Sequence, residues 1–379
     1  MTTINSALAG MLAIAARASA SDVHLTAGHP PLMRVDGDLE PILDYPDPTT
    51  AAWLESALGD MLSGEQIVEF RQRGEVDLSF SVPDVARFRV NVFRQLGQVA
   101  VAMRFIADKA KSLDELGVPA IAHDLAMKPR GLVLVTGPTG SGKSTTLSAM
   151  IDAVNRTLPA HIVTVEDPVE FRHTSRRSLI HQREIGSDTA SFAEALRRVL
   201  RQDPDIILIG ELRDPESIAT ALTAAETGHL VLSTLHTQSA AKSINRIVDA
   251  FPPAQQPQVR TQLGDTLQGI ITQTLLPMAQ SAGRAIATEV LINTSAIANL
   301  IREGEVSQIY SMIQAGGGLG MHTLDQDLKR LVEDGTVSLS AAKMAAYDPK
   351  SLDDVRVRPR DLDIESWSMH GSRAESWTH

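Results

Sequence analysis

The chain reads as an α/β protein: a P-loop core built on a mainly parallel sheet, with a small α+β module ahead of it and a helical region behind. Three observations predict this. Gly137-Pro138-Thr139-Gly140-Ser141-Gly142-Lys143-Ser144-Thr145-Thr146 fits the pattern G-x-x-x-x-G-K-[ST]. It stands between a strand-like run, Gly131-Leu132-Val133-Leu134-Val135-Thr136, and a helical pattern opening at Ser144, the context the motif requires. Short β-branched runs then alternate with helical stretches, which implies parallel strands joined by right-handed crossovers.

Taken in order, Ile4, Leu8, Met11, Leu12 and Ala15 follow helical spacing and predict an amphipathic first helix. Ala18-Ser19-Ala20 has the look of a signal-peptidase site, but nothing basic precedes the apolar run and Arg17 interrupts it. Residues 21–43 alternate around Gly and Pro as a hairpin does, and 51–70 carry Leu54, Leu58, Met61, Leu62 and Ile67 at the spacing of one or two helices. Runs 77–82, 87–93 and 99–105 have period two and predict an antiparallel sheet, closing a module over 1–107. Arg87, Arg89, Arg94 and Arg104 lie on these strands, either as a solvated face or as a source of charge for phosphates.

A polar connection over 108–127 leads to the core, 128–294. Strands are expected at 131–136, 161–166, 205–209, 229–235 and 285–292, with helices at 144–156, 189–201, 215–226 and 239–249. Val259, Leu263, Leu267, Ile270, Ile271 and Leu275 predict one further helix over 255–276, and the 161–166 strand is expected beside the P-loop strand. Helices at 295–303, 306–314, 323–334 and 339–346 make a C-terminal region to about 350. In 351–379 periodicity fades, which reads as a mobile tail with Trp367 and Trp377 as isolated aromatics.

The 379 residues carry a net charge of -11, which argues against a nucleic-acid groove as the main surface. With no cysteine there is neither a disulfide framework nor a Cys-based zinc site. No apolar run reaches membrane-spanning length, so a soluble protein is expected, and ATP chemistry points to the cytoplasm.

The chemistry gathers on the loop. Its glycines let successive N–H groups face phosphate oxygens at a helix N-terminus; Lys143 would reach the β- and γ-phosphates, and the Ser144 hydroxyl would ligate Mg2+. Hydrolysis also needs a metal-side acid and a group that orients water. Val165-Glu166-Asp167-Pro168-Val169-Glu170 and Gly210-Glu211-Leu212-Arg213-Asp214 each place carboxylates after an apolar strand, where α/β folds bind ligands. The second resembles a Walker B strand with its acid displaced by one residue. His229 and His236 flank a third strand and suit a phosphate sensor better than a zinc site.

The ordered set resembles the secretion-superfamily traffic ATPases, from about Ser21 to Ala346. The marks are Ser21-Asp22-Val23-His24-Leu25, the P-loop, the acidic box ending in Glu170-Phe171, Gln182-Arg183-Glu184, Gly210-Glu211-Leu212-Arg213-Asp214, Ala224-Ala225-Glu226-Thr227-Gly228-His229 and Ser233-Thr234-Leu235-His236-Thr237. Ala296-Ile297-Ala298-Asn299-Leu300-Ile301-Arg302-Glu303 is similar to the signature of the branch that retracts type IV pili. That signature usually has arginine where Ala298 stands, and the strand turn often has Arg-Gly where Leu96-Gly97 stands.

The resemblance implies a RecA-like core and a PAS-like N-terminal domain. It makes Glu170 the general base, Glu211 the acid acting on Mg2+, and His229 and His236 sensors of the γ-phosphate. It brings Arg89, Arg94 and Arg104 to nucleotide across a subunit boundary. It further implies a cytoplasmic homohexamer that hydrolyses ATP, meets the membrane only through the inner-membrane pilus platform protein, works alongside a second retraction ATPase and binds no nucleic acid. Rival readings are an accessory retraction, assembly or secretion ATPase of the same fold, a nucleotide-gated ring with negligible turnover, and a RecA-like nucleic-acid motor. The paired Lys143, Glu170 and Glu211 disfavour the ring, and the acidic balance disfavours the nucleic-acid motor.

Overall fold

A computed structural model describes residues 5–35, 37–106, 111–281 and 283–357. Ile4, residues 107–110 where the expected module meets the expected connection, and Trp367, Trp377 and most of the expected tail lie outside them. Among the described residues the strands form two sheets.

The first begins after α1 (Ser6–Arg17), which Asn5 caps by accepting from the N–H groups of Ala7 and Leu8, and which buries Leu8, Met11, Leu12 and Ala15 at the expected spacing. Then come β1 (Asp22–Thr26), β2 (Leu32–Val35), β3 (Asp38–Pro41), α2 (Ala51–Met61), α3 (Gly64–Arg73), β4 (Glu75–Val82), β5 (Ala86–Gln95) and β6 (Gln98–Ile106). Their order is β3-β2-β1-β6-β5-β4, with every neighbour antiparallel. The hairpin expected over 21–43 is present, and β1 also joins it to β6 with Asp22 opposite Arg104. The β5–β6 turn takes positive φ at both Leu96 and Gly97, 48° and 79°, the twist a two-residue hairpin demands. Leu12, Leu25, Leu54, Phe88, Val90 and Met103 centre this module's core.

The second sheet is built from α4 (Ile121–Ala126), β7 (Gly131–Thr136), α5 (Lys143–Thr157), β8 (His161–Glu166), β9 (Leu179–Glu184), α6 (Phe192–Val199), β10 (Ile206–Ile209), α7 (Pro215–Glu226), β11 (Leu230–Leu235), α8 (Ala240–Asp249), α9 (Gln256–Thr266), β12 (Leu267–Pro277) and β13 (Arg284–Ile292). Its order is β13-β12-β7-β11-β10-β8-β9, parallel except where β12 meets β13. Because both faces are covered, β7, β10 and β11 are buried at every position, as central parallel strands should be. Leu132 and Leu134 pack towards α6, α7, α8 and α9, while Val133 and Val135 pack towards α4 and α5. Behind follow α10 (Ser295–Glu303), α11 (Ile309–Ala315), α12 (Leu324–Glu333) and α13 (Leu339–Ala345), the last two closing over Leu276, Ala285 and Ala287.

Three expectations are corrected. The helix over 255–276 stops at Thr266, and 267–277 form β12 between β7 and β13. Ile270-Ile271 and Leu275-Leu276 mimic a helical face, but a run buried on both sides has no period to read, and β-branched Ile270, Ile271, Thr272 and Thr274 favour the strand. Strand β9 was not foreseen: its only deeply buried apolar side chain is Ile180, and it lies at the sheet edge. Finally, β8 does not adjoin β7; β11 and β10 stand between them, so the acidic box reaches the P-loop by its loop rather than by strand adjacency.

Candidate active site

All the parallel strands of the second sheet deliver their C-terminal ends to one edge, and the P-loop sits there because β7 runs straight into it. Gly137 has φ 143°, and a Cβ on it would come within 2.2 Å of the Gln273 carbonyl oxygen, so the loop's first position accepts only glycine. Gly142, at φ 87°, turns the chain into α5. Gln273 of β12 then staples the loop: its Nε2 donates to the Ser141 carbonyl at 2.6 Å, and its Oε1 accepts from Thr146 Oγ1 at 2.9 Å. Beneath, Thr136 and Thr272 share a hydroxyl hydrogen bond of 2.8 Å. No motif announces Gln273; only the true identity of β12 as a strand brings it to the loop.

Lys143 is buried, with Nζ donating to the carbonyls of Gly137 at 2.9 Å and Pro138 at 3.0 Å. Burial lowers its pKa, against the opposing pull of Glu211 and Glu170, which are thereby both placed within electrostatic reach of its ammonium. Glu211 follows β10. Its Oε2 accepts from Arg213 at 2.7 Å, and its Oε1 lies 3.3 Å from His236 Nε2, whose Nδ1 lies 3.4 Å from Thr139 Oγ1. Burial pushes the Glu211 carboxyl up, but Arg213 and His236 outweigh it and leave the pKa below the usual value. A polar chain Arg213–Glu211–His236–Thr139 therefore ties the Walker B-like strand to the P-loop.

Glu170 is exposed, on the loop after β8. Glu166, at the end of β8, accepts from Thr164 at 2.6 Å and Gln182 at 3.3 Å; burial raises its pKa, opposed by these bonds. Ser144 and Thr145 occupy the half-buried first turn of α5.

His229 is a correction. It precedes β11, whose Leu230 pairs with Gly131 while Leu235 pairs with Thr136, so it stands at the opposite edge of the sheet, about 20 Å away by strand rise. Its Nδ1 faces the Ala224 carbonyl at 3.0 Å and Thr227 Oγ1 at 3.3 Å, a local turn contact. Of the arginines, Arg89 and Arg104 are directly opposite on β5 and β6, both exposed, with Arg104 Nε donating to Asp22 at 2.8 Å. Arg94 is not brought to them: it lies on the other face, over the Phe70 ring at 5.1 Å, with Nη1 donating to the Gly97 carbonyl at 3.2 Å.

The residues fit a nucleotide with Mg2+. Ser141 Oγ is buried and without a protein partner, Gly140 opens onto free space, and Ser144 and Glu211 offer the oxygen donors magnesium prefers. Among the described residues no group of three His, Asp or Glu could hold a metal unaided; a Mg2+ ion here would take phosphate oxygens and water as its remaining ligands.

The family model described as type II/IV secretion system protein matches residues 2–313. The chain belongs to that family. It is 51% identical over 342 residues to the Type IV pilus retractation ATPase PilT of Pseudomonas aeruginosa, covering 90% of this chain and 98% of that one. It is 48% identical to a twitching motility protein of Neisseria gonorrhoeae, over 85% of this chain and 86% of that one. Among solved structures it resembles the pilus retraction motor PilT with bound ADP, with TM-score 0.85 and 46% identity over 90% of this chain and 98% of that chain. The secretion-ATPase fold expected from the sequence is thus the fold observed.

Proposed function

We propose that the chain is a hexameric, Mg2+-dependent ATPase that powers type IV pilus retraction and twitching motility. The observation that carries the reading is the convergence of Lys143, Glu211 and Glu170 on one sheet edge. It occurs in a chain that aligns over nearly the full length of a pilus retraction ATPase. Nucleotide phosphates would lie along the N–H groups of Gly137–Thr146, neutralised by Lys143. Ser144 and Glu211 would hold Mg2+, which screens the phosphate charge; despite burial, Arg213 and His236 hold the Glu211 carboxyl below its usual pKa, which suits a metal-side acid.

Glu170, with its side chain exposed on the loop after β8, would take the proton of the attacking water as its oxygen bonds phosphorus and the bond to the ADP oxygen breaks. His236, bridging Glu211 and Thr139, would report on phosphate occupancy through that polar chain. Arg89 and Arg104 make a like-charged cross-strand pair that Asp22 neutralises only in part, through Arg104, and a phosphate from a neighbouring subunit would complete the compensation. In this reading 1–107 and 128–294 are separate domains joined through 108–127, and 295–350 supports the core; the tail expected over 351–379 is corrected at its start, where Leu352 and Val355 are buried against α12 and α13. The ring works at the cytoplasmic face of the membrane on the platform protein, beside a second retraction ATPase. Among the described residues no helix is long and apolar enough to cross a membrane.

The first test is turnover by the purified protein. Lys143→Ala is expected to reduce Mg2+-ATP hydrolysis by at least about a hundredfold; a wild-type rate would remove the P-loop from the mechanism.

A further inference from the structure

The loop carrying Glu170 is held by a carboxylate at the end of the neighbouring strand. Glu166 and its cross-strand partner Glu184 stand level at the ends of β8 and β9. Glu166 accepts from Thr164 at 2.6 Å and from Gln182 at 3.3 Å. Glu184 Oε2 accepts the Val169 N–H at 3.0 Å, one residue away from Glu170. Glu184 is itself held from outside the core sheet: Arg87 Nη2 of β5 donates to the same Oε2 at 2.8 Å, and Ser79 Oγ of β4 donates to Oε1 at 2.8 Å. The ion pair is shielded, its side chains only 18% and 10% exposed. Glu184 thus has one oxygen shared between the first sheet and the Glu170 loop.

We propose that Glu184 is a positioning residue that transmits the placement of the N-terminal sheet to Glu170. When Arg87 and Ser79 sit on it, the carboxylate is fixed and the Val169 N–H with it, so Glu170 is held where water can be activated. When the N-terminal module swings away, Glu184 loses both anchors and the loop loosens. Turnover would then depend on module position within a single chain, separately from any arginine supplied by a neighbour. The role of Glu170 as base is taken from the reading above; the link from Arg87 to Val169 is independent of it. A shielded ion pair of this kind can also be merely structural, and the experiment separates the two.

Arg87→Ala, Ser79→Ala and the conservative Arg87→Lys are made in the full-length protein and checked for assembly. Amide exchange is followed in peptides spanning 167–172 and 137–146, beside kcat, KM and ADP affinity. The expected result is faster exchange at Val169 and Glu170 with the P-loop unchanged, and a kcat about tenfold lower for Arg87→Ala with KM and ADP affinity within about twofold. Ser79→Ala shows a smaller loss, and Arg87→Lys recovers part of it. In a Glu170→Gln background Arg87→Ala costs nothing further, because both act through one group.

Unchanged exchange at Val169, losses that add in the double variant, or kcat and ADP affinity falling together would overturn the proposal. Should Glu170→Gln alone turn over ATP at the wild-type rate, the base assignment fails. The linkage is then judged on exchange alone, supported by loosening at Val169 and overturned without it. If Arg87→Ala does not assemble, Ser79→Ala, which removes one hydroxyl, gives the same decision.

Discussion

Single residues in this chain carry charges into places that shift their behaviour, and Glu289 is the sharpest case outside the nucleotide site. It lies on β13, only 1% exposed; Oε1 accepts the Ala240 N–H at 2.8 Å and Oε2 has no partner. Burial raises its pKa, and Asp325 nearby adds to the effect against the bond from Ala240. Tyr310 and Tyr347 border the same cluster, and both are held protonated by burial and these acids. A carboxyl whose pKa is raised on folding keeps its proton longer in the native state. Its stability contribution is therefore full below the unfolded value near 4.3 and is lost as pH climbs through the raised value. Glu289→Gln should accordingly stabilise the protein by about 1–2 kcal/mol at pH 8 and by much less near pH 5. Thermal melts at the two pH values check this; an equal shift at both would refute the burial argument. Lys143 experiences the same burial with opposite sign, its pKa lowered on balance, and two carboxylates within reach counter only part of the effect.

At the scale of elements, β12 decides the site. Its misreading as helix hid Gln273, the residue that holds both Ser141 and Thr146 of the P-loop. Gln273→Leu should weaken ADP binding about tenfold and cost about 1–3 kcal/mol of stability, since the Ser141 carbonyl and Thr146 hydroxyl lose a buried partner. Titration with a fluorescent ADP analogue measures the first, and undiminished affinity would show that the staple does not shape the loop. The P-loop, the Walker B-like strand and the alternation of strands and helices were legible because each couples a local pattern to a turn chemistry that admits few substitutes. Ile270 to Leu276 were not, because a strand buried on both faces shows no periodicity, and neither was β9, whose edge position leaves mostly polar side chains. His229 was misplaced for a related reason: lying at one end of a strand is visible in sequence, but which end meets the loop follows from register. Arg94 and Arg104 looked alike on paper, and the pleat sends them to opposite faces. Glu184 stood in a recognised motif without a role until Arg87 and Val169 were seen on it.

The whole molecule places an arginine-bearing antiparallel sheet beside a nucleotide core, with Arg89 and Arg104 exposed for a neighbour. If they serve the next subunit's site, Arg104→Ala and Lys143→Ala chains should each form slow rings alone, yet recover a substantial share of ATPase activity when co-expressed. Mixed rings contain junctions where an intact P-loop faces an intact arginine; no recovery would put Arg104 in service of its own chain. Arg87 belongs to the opposite arrangement, bound inward to Glu184, so one sheet would address two sites. On the proposed function, hydrolysis at this site, driven by Glu170, pulls pili in. The most direct measurement is to count surface pili and score twitching in cells lacking the gene, with wild-type or Glu170→Gln protein restored. Many pili without motility, rescued by the wild type and not by Glu170→Gln, is the predicted result. Bald cells after deletion, or motility restored by Glu170→Gln, would contradict it.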